Sequence, residues 1–164
     1  MSTSIIHISD LHFHTYPHNF RDWKSKRIIG AANLLFRRAR EFPLQRAKKL
    51  VVQIQKTNWD HLVISGDLTQ LSLEKGFHKA RETLGPLLED PQRVTIVPGN
   101  HDRYVCQAAG NDLYDKYFGE FFGNDEIHVR RLKDDWVIVG WDSAHPNDWL
   151  SAAGSVRRLS LIHI

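Results

Sequence analysis

Short apolar runs alternate with longer amphipathic stretches along the 164-residue chain. Three runs rich in Ile, Val and Leu predict buried strands at Ile5–Ile8, Leu62–Ile64 and Val94–Val97. Two more strands are expected at Ile127–Leu132 and Trp136–Trp141, because a polar Lys-Asp-Asp turn separates these two apolar runs. Helical stretches lie between the strands. This alternation predicts an α/β fold with helices on the outside of a sheet.

The helices are predicted from apolar residues that recur every three or four positions. This spacing indicates an amphipathic helix over residues 23–41, and Pro43 suits the first turn of a second helix. Ser72 can cap a third helix, which Gly85-Pro86 should kink or end. A short helix is expected over Leu113–Phe118. The apolar faces of the second and third helices would consist of Leu44, Ala47, Val51, Ile54, Phe77, Ala80, Leu84 and Leu87.

Polar residues with metal-binding chemistry follow each of the first three strands. These segments are Asp10-Leu11-His12, Gly66-Asp67 and Gly99-Asn100-His101-Asp102. Groups placed just beyond the carboxyl ends of neighbouring strands converge on one crevice in an α/β fold. Carboxylates, imidazole and an amide oxygen together suit divalent metals, and the glycines allow the backbone to turn sharply near the ions. The pattern therefore predicts a metal centre built from loops.

Composition narrows the class of protein without identifying it. With 41% hydrophobic and 25% charged residues, the chain is an ordinary globular protein long enough for one domain. The single cysteine, Cys106, excludes a disulfide framework and a thiolate zinc cluster. The sequence contains no signal-like segment and no apolar run long enough to span a bilayer, so we expect a cytoplasmic protein.

The positive charge is concentrated near the N-terminus. Residues 21–49 hold ten of the 22 Lys and Arg residues, although the net charge is only +3. This region could form a basic face for nucleic acid. A solvated helix face is the interpretation we favour, because only Trp23 and Phe36 are available there for stacking on bases.

Taken together and in this order, the three strand-end motifs resemble those of the calcineurin-like metallophosphoesterase family. The resemblance covers residues 5 to about 158. It implies a mixed sheet and sandwich flanked by helices, of which this chain would supply the first sheet and the beginning of the second. The strands near residues 5, 62, 94 and 137 would then belong to one mixed sheet.

The resemblance also implies a centre of two divalent metal ions. Asp10, His12 and Asp67 would bind the first ion, and Asp67 would bridge to a second ion that Asn100 also binds. The mixed nitrogen and oxygen ligands admit Mn, Fe, Zn, Co or Ni. Two ions about 3.5–4 Å apart can stabilise both the attacking and the leaving oxygen of a phosphoryl transfer, and metal-bound water reaches a pKa of about 7.

The resemblance implies roles for the residues that surround the ions. His101 would protonate the leaving oxygen or stabilise the transition state, and Asp102 would hold the His101 ring in position. Arg103 follows the histidine motif directly and, by this position, is expected to meet a substrate phosphate or its leaving group. Gln70 stands where purple acid phosphatases have an iron-binding Tyr, so a ferric tyrosinate centre is not expected.

The C-terminal part of the chain departs from the family pattern. The family completes its metal site with a later single His and a Gly-His-x-His motif, and neither occurs here. We therefore expect residues 1–158 to form an incomplete domain with little or no activity alone. Residues 159–164 match the translation of CTG TCT CTT ATA CAC ATC, which resembles a transposon end used in sequencing adaptors, and are expected to be a sequencing or cloning scar.

Several functions remain open from the sequence. The leading hypothesis is hydrolysis of a phosphomonoester or phosphodiester by metal-bound hydroxide, with a small substrate such as a cyclic nucleotide. A nuclease would use the basic region 21–49, and a lipid-linked pyrophosphatase would rest the same region on an anionic membrane. A non-catalytic binding scaffold or an inactive fragment is the alternative of another class.

Overall fold

The order of strands and helices confirms the predicted α/β class. The computed structural model describes residues 2–15, 44–103, 112–123, 125–144 and 154. Short 3₁₀ turns at Gly85–Leu87, Pro91–Arg93 and Gly119–Phe121 connect the longer elements. In chain order the elements are β1 (Ile5–Ile8), α1 (Leu44–Gln55), β2 (His61–Ser65), α2 (Glu74–Leu84), β3 (Val94–Val97), α3 (Leu113–Phe118), β4 (Ile127–Arg131) and β5 (Val137–Trp141).

The first three strands form a parallel sheet with β2 in the centre. Their register pairs Ile6 with Leu62 and Leu62 with Val94. Because the strands are parallel, all three carboxyl ends lie at one edge of the sheet. The three predicted ligand motifs therefore begin at the same edge.

One hydrophobic core holds the helices against this sheet. Val51 and Ile54 of α1 are buried in it, and α2 contributes a face that matches the predicted one. Complete burial of a large aliphatic or aromatic side chain stabilises the fold by about 1.5–3 kcal/mol. The largest fully buried apolar side chains are Tyr114, Phe77, Phe118, Phe121, Leu62, Ile64, Leu68, Leu84, Ile96 and Val94.

The last two strands form a separate antiparallel hairpin. β4 and β5 pair with each other, and Asp134 and Asp135 in the turn between them have positive φ. The prediction that the strand near residue 137 joins the first three strands was wrong for the described residues, where the strands form two sheets. The turn pairs β5 with β4, and β5 meets β3 through side-chain packing and not through a hydrogen-bonded ladder among the described residues. The hairpin packs beside β3, since Gly140 faces the side chains of Phe122 and Val97.

The start of α2 differs from its prediction. Its N-cap residue is Leu73, which makes no side-chain cap hydrogen bond among the described residues. Ser72 instead adopts a positive φ of 50°, and its hydroxyl donates a hydrogen bond to the Asp102 carbonyl oxygen at 2.8 Å. The end of α2 at Leu84, directly before Gly85-Pro86, follows the prediction. The predicted bounds of α3 are also confirmed, and Asp112 caps it.

Some predictions fall outside the described residues. These include the helix over residues 23–41, Cys106 and the segment 159–164. The domain boundaries therefore stay predictions. Within the described part of the chain, no helix combines the length and the apolar character needed to cross a membrane.

Candidate metal centre

The loop that follows β1 is hydrogen-bonded to the loop that follows β2. The Asp10 N–H donates to the Gly66 carbonyl oxygen at 3.2 Å, and the His12 N–H donates to the Asp67 carbonyl oxygen at 2.9 Å. The two loops therefore continue the parallel pairing of the strands beyond the sheet. This pairing places the first two predicted ligand motifs side by side.

The loops after β2 and β3 approach each other at two glycines. A Cβ on Gly66 would lie 2.6 Å from the Gly99 Cα, and a Cβ on Gly99 would lie 2.2 Å from Asp67 Oδ1. Both distances are far below van der Waals contact, and Gly66 also has a φ of +77°. Glycine is therefore required at both positions, and its small size lets the Asp67 carboxylate lie against the third loop.

Asp10, His12 and Asp67 present their ligand atoms to one point. One ligand atom from each residue lies within 4.8 Å of the other two, and His12 Nε2 is 3.7 Å from Asp10 Oδ1. Ligands that share one ion at about 2.0–2.2 Å lie within roughly 4.4 Å of one another, so small side-chain rotations would close this set around an ion. His12 is buried and Asp10 is exposed. The donor set therefore fits a divalent ion that is open to solvent on one side.

The same three residues have an uncommon backbone conformation. Asp10, His12 and Asp67 have φ values of 56°, 45° and 51°. The left-handed region costs a non-glycine residue roughly 1–2 kcal/mol, and such residues cluster at functional sites. The sequence contained only a weak signal for this feature, because Asp tolerates the conformation better than most residues.

The third loop brings His101 beside the carboxylate of Asp67. Asp67 Oδ1 accepts a hydrogen bond from the His101 N–H at 3.1 Å, so the turn that carries Asn100 lies next to Asp67. The His101 and His12 ring centroids are 5.4 Å apart. His101 Nδ1 is 2.9 Å from the Gln70 carbonyl oxygen. A carbonyl only accepts hydrogen bonds, so Nδ1 carries a proton and this contact fixes the orientation of the ring.

Asp102 is a buried carboxylate that joins the second and third loops. It accepts hydrogen bonds from the N–H groups of Leu68 (3.1 Å), Thr69 (2.8 Å) and Gly99 (3.0 Å). Burial raises the pKa of Asp102. These hydrogen bonds act against the effect of burial, and the net pKa is about 6. The contacts differ from the ring-positioning role predicted for Asp102, because the His101 ring bonds to the Gln70 carbonyl oxygen. Sequence reasoning had no means to find that partner, since any residue supplies a carbonyl.

Arg103 lies in a cluster of three carboxylates. Its guanidinium donates to Asp112, to Asp115 at 3.2 Å and to Asp142 at 2.8 Å, and its side chain is 16% exposed. Burial raises the pKa of Asp142, although Arg103 opposes the shift. The predicted contact between Arg103 and a substrate phosphate stays a prediction.

Comparison with protein families decides the class of this arrangement. A model of the family described as calcineurin-like phosphoesterase matches residues 3–162. The chain belongs to the calcineurin-like phosphoesterase family. The resemblance drawn from the three motifs and the predicted fold class are thereby confirmed. A search of curated proteins finds no match.

Family membership gives a coarse account of the chemistry. Calcineurin-like phosphoesterases typically use divalent metal ions, and the family implies hydrolysis of phosphate esters. The site contains a candidate ligand triad for such an ion.

Proposed function

We propose that this calcineurin-like phosphoesterase hydrolyses a small phosphate ester at two divalent ions. Asp10, His12 and Asp67 would hold the first ion, and Asp67 and Asn100 would hold the second. The convergence of three ligand atoms within 4.8 Å at one edge of the parallel sheet carries this proposal. The ions would be Mn, Fe, Zn, Co or Ni, which accept mixed nitrogen and oxygen ligands.

The site residues hold the reacting groups and move protons. When bound, the ions supply Lewis acidity toward the phosphoryl group and a water of lowered pKa. The Asp67 carboxylate has two oxygens and would be the ligand that the two ions share; its contact with the His101 N–H, which keeps it beside the third loop, supports this role. The fixed backbone of the three loops keeps these donors in place before a substrate arrives.

His101 would donate the proton that the leaving oxygen requires. Its Nδ1–H is held by the Gln70 carbonyl oxygen, which fixes the orientation of the ring, and the acid would be the ring that carries a second proton on Nε2. The ring lies 5.4 Å from that of His12, so the proton donor stands beside the ligand cluster. Asp102 would act more remotely, by fixing the loops that carry Asp67 and His101.

The exposed position of Asp10 favours a substrate that reaches the site from solvent. We propose a small phosphodiester, with a cyclic nucleotide as one example. Binding of nucleic acid through the basic region 21–49 stays a prediction, because only residues 44–49 of this region are described. The cytoplasmic location also stays a prediction. A binding scaffold is disfavoured, because it gains nothing from three strained residues that converge on one point.

The proposal is tested by comparing two leaving groups. Bis-p-nitrophenyl phosphate releases a phenolate that needs no acid, whereas diphenyl phosphate releases a poorer one. With Mn²⁺, His101→Ala should lower turnover of diphenyl phosphate by about 100-fold and that of the nitrophenyl ester by much less. Absolute rates should be low and should rise with Mn²⁺ into the millimolar range, because the described residues offer the second ion only two ligands.

Matched variants make this comparison interpretable. Asp67→Ala should abolish turnover of both esters, because it removes the shared ligand. His78→Ala, on α2, changes a histidine outside the proposed site and should leave both rates unchanged. Turnover that needs no metal, or an equal loss on both esters in His101→Ala, would contradict the assigned roles.

A further inference from the structure

Arg103 connects three separate parts of the chain. Its Nη1 donates to Asp112, which caps α3, and its Nη2 donates to Asp115 on α3 and to Asp142 just beyond β5. The Arg103 side chain is 16% exposed and that of Asp142 is 15% exposed. Charge-assisted hydrogen bonds between largely buried groups are stronger than those on an open surface. The guanidinium is therefore a firm junction between the third ligand loop, α3 and the hairpin.

The first turn of α3 also holds the other end of the same loop. The guanidinium of Arg103 lies 5.3 Å from the centroid of the Tyr114 ring, and the Tyr114 hydroxyl donates to the Ile96 carbonyl oxygen at 2.7 Å. Ile96 lies on β3 before the loop, and Arg103 follows it. The segment that carries Asn100 and His101 is thus attached to α3 at both ends.

The surroundings of Arg103 do not favour a bound phosphate. Three carboxylates already face one guanidinium, so the cluster has an excess of negative charge. A substrate phosphate at the same nitrogens would bring a further anion into a largely buried place, which electrostatics opposes. The contacts instead match those of a residue that attaches the third ligand loop to α3 and to the β4–β5 hairpin.

We propose that Arg103 is a positioning residue that, through Asp142 and Asp112, holds Asn100 and His101 beside Asp67. The expected effect of Arg103 on turnover rests on the proposed function. The effect of Arg103 on the position of the third ligand loop does not depend on turnover. This positioning role replaces the substrate contact that the sequence predicted for Arg103. The two roles give opposite expectations for Asp142→Asn. A positioning role requires this carboxylate, whereas a substrate-binding arginine would be freed by its loss.

The test compares Arg103→Gln, Asp142→Asn and the double variant in Mn²⁺-dependent hydrolysis of bis-p-nitrophenyl phosphate. Each single change should lower kcat by about 10-fold with KM within about twofold, because misplaced groups lose rate more than binding. The double variant should be no slower than the slower single variant, since both changes break one connection. Arg103→Lys should recover part of the rate, because its ammonium keeps the charge but not the fork.

Arg81→Gln is the matched control. Arg81 on α2 also pairs with a carboxylate, Glu120, and bonds to a carbonyl oxygen, that of Tyr117. It has no contact with the third ligand loop among the bonds of the described residues. Its replacement should leave kcat, KM and the loop unchanged. Thermal unfolding of every variant, followed by circular dichroism, identifies any that fails to fold.

A second readout is independent of metal and turnover. The backbone amide signals of residues 99–102 in ¹H–¹⁵N spectra should shift in both Arg103→Gln and Asp142→Asn and stay in place in Arg81→Gln. If the wild-type chain hydrolyses nothing while these signals shift, the proposed function fails and the positioning role stands. If Arg103→Gln raises KM alone, Asp142→Asn is as fast as wild type and the signals stay in place, the positioning role is overturned.

Discussion

The two oxygens of the Asp102 carboxylate accept hydrogen bonds from two different loops. Oδ1 faces the Thr69 N–H and hydroxyl, and Oδ2 faces the N–H groups of Leu68 and Gly99. All of these groups are donors, so the site needs acceptors at both positions. A neutral amide of the same shape would direct its NH₂ group at one of the donor pairs.

Asp102→Asn should therefore lower the free energy of unfolding by about 2–3 kcal/mol at pH 7.5, because a buried N–H loses its acceptor in either amide orientation. Urea unfolding of the metal-free protein measures the loss. Asp90→Asn is the control, since Asp90 accepts the Gln92 N–H at an exposed turn, and it should cost less than about 1 kcal/mol. Equal losses in the two variants would contradict the structural role of Asp102.

Gly99 sets how closely the third loop approaches Asp67. In Gly99→Ala the new Cβ would lie 2.2 Å from Asp67 Oδ1 and 2.3 Å from the Asp67 backbone nitrogen, so the carboxylate and the loop that carries it must both move. We expect Mn²⁺ affinity to fall by about 10-fold or more, because a shifted ligand costs the ion much of that bond. Calorimetric Mn²⁺ titration measures this change.

Gly119→Ala provides the comparison for Gly99→Ala. A Cβ on Gly119 meets only Asp115 Cβ at 3.7 Å, and its backbone is helical. This variant should bind Mn²⁺ as wild type does. If Gly99→Ala binds Mn²⁺ with wild-type affinity, metal binding does not depend on the close contact between the Asp67 carboxylate and the third loop.

At the scale of the elements, β2 carries a fully buried histidine among the strands of the parallel sheet. His61 Nε2 lies 2.9 Å from Thr95 Oγ1 on β3. Burial, with smaller effects from Arg130, Arg93 and His128, lowers the pKa of His61 to about 4. The folded sheet thus holds this ring neutral, whereas the unfolded chain protonates it near pH 6.5.

Because the folded-state pKa of His61 is the lower one, its contribution to stability is complete above about pH 6.5 and is lost as the pH falls toward 4. The loss should amount to about 3 kcal/mol. The carboxyl group of Asp102 has the opposite effect on stability. Because its pKa is raised in the folded state, its contribution to stability grows as the pH falls. Urea unfolding of wild type and His61→Gln across this pH range isolates the histidine, because other groups cancel in the difference.

The difference in unfolding free energy between wild type and His61→Gln should shrink as the pH is lowered from 7 to 4. His7→Gln, which changes an exposed histidine of β1, measures the effect of replacing an imidazole that is not buried. A constant difference between wild type and His61→Gln across the range would show that His61 is not held neutral.

At the scale of the whole molecule, local patterns were predictable and long-range partners were not. The bounds of β1, β3 and α3 follow from short apolar runs and a capping Asp, which are properties of neighbouring residues. The meeting of the three ligand loops also follows, because parallel strands end at one edge. The position of β5 in a second sheet could not be read from its residues, since strand pairing depends on what packs beside it.

The details of the site show the same division. The types of ligand residue were evident from the motifs, but many of the contacts that fix the site involve backbone carbonyl and amide groups. The Gln70 carbonyl that holds His101 and the amides that hold Asp102 have no sequence signature. The left-handed backbone of His12 was equally hidden, because it results from the pairing of two loops.

The central claim is that the three loops form one divalent metal centre in which Asp67 is the shared ligand. Mn²⁺ binding followed by electron paramagnetic resonance tests it most directly, with Asp67→Asn beside wild type. Asp135→Asn is the matched control, because Asp135 is also an aspartate with positive φ, 60°, but lies in the β4–β5 turn. Wild type and Asp135→Asn should bind Mn²⁺ saturably, and Asp67→Asn should lose this binding. Unchanged Mn²⁺ binding by Asp67→Asn would contradict the account.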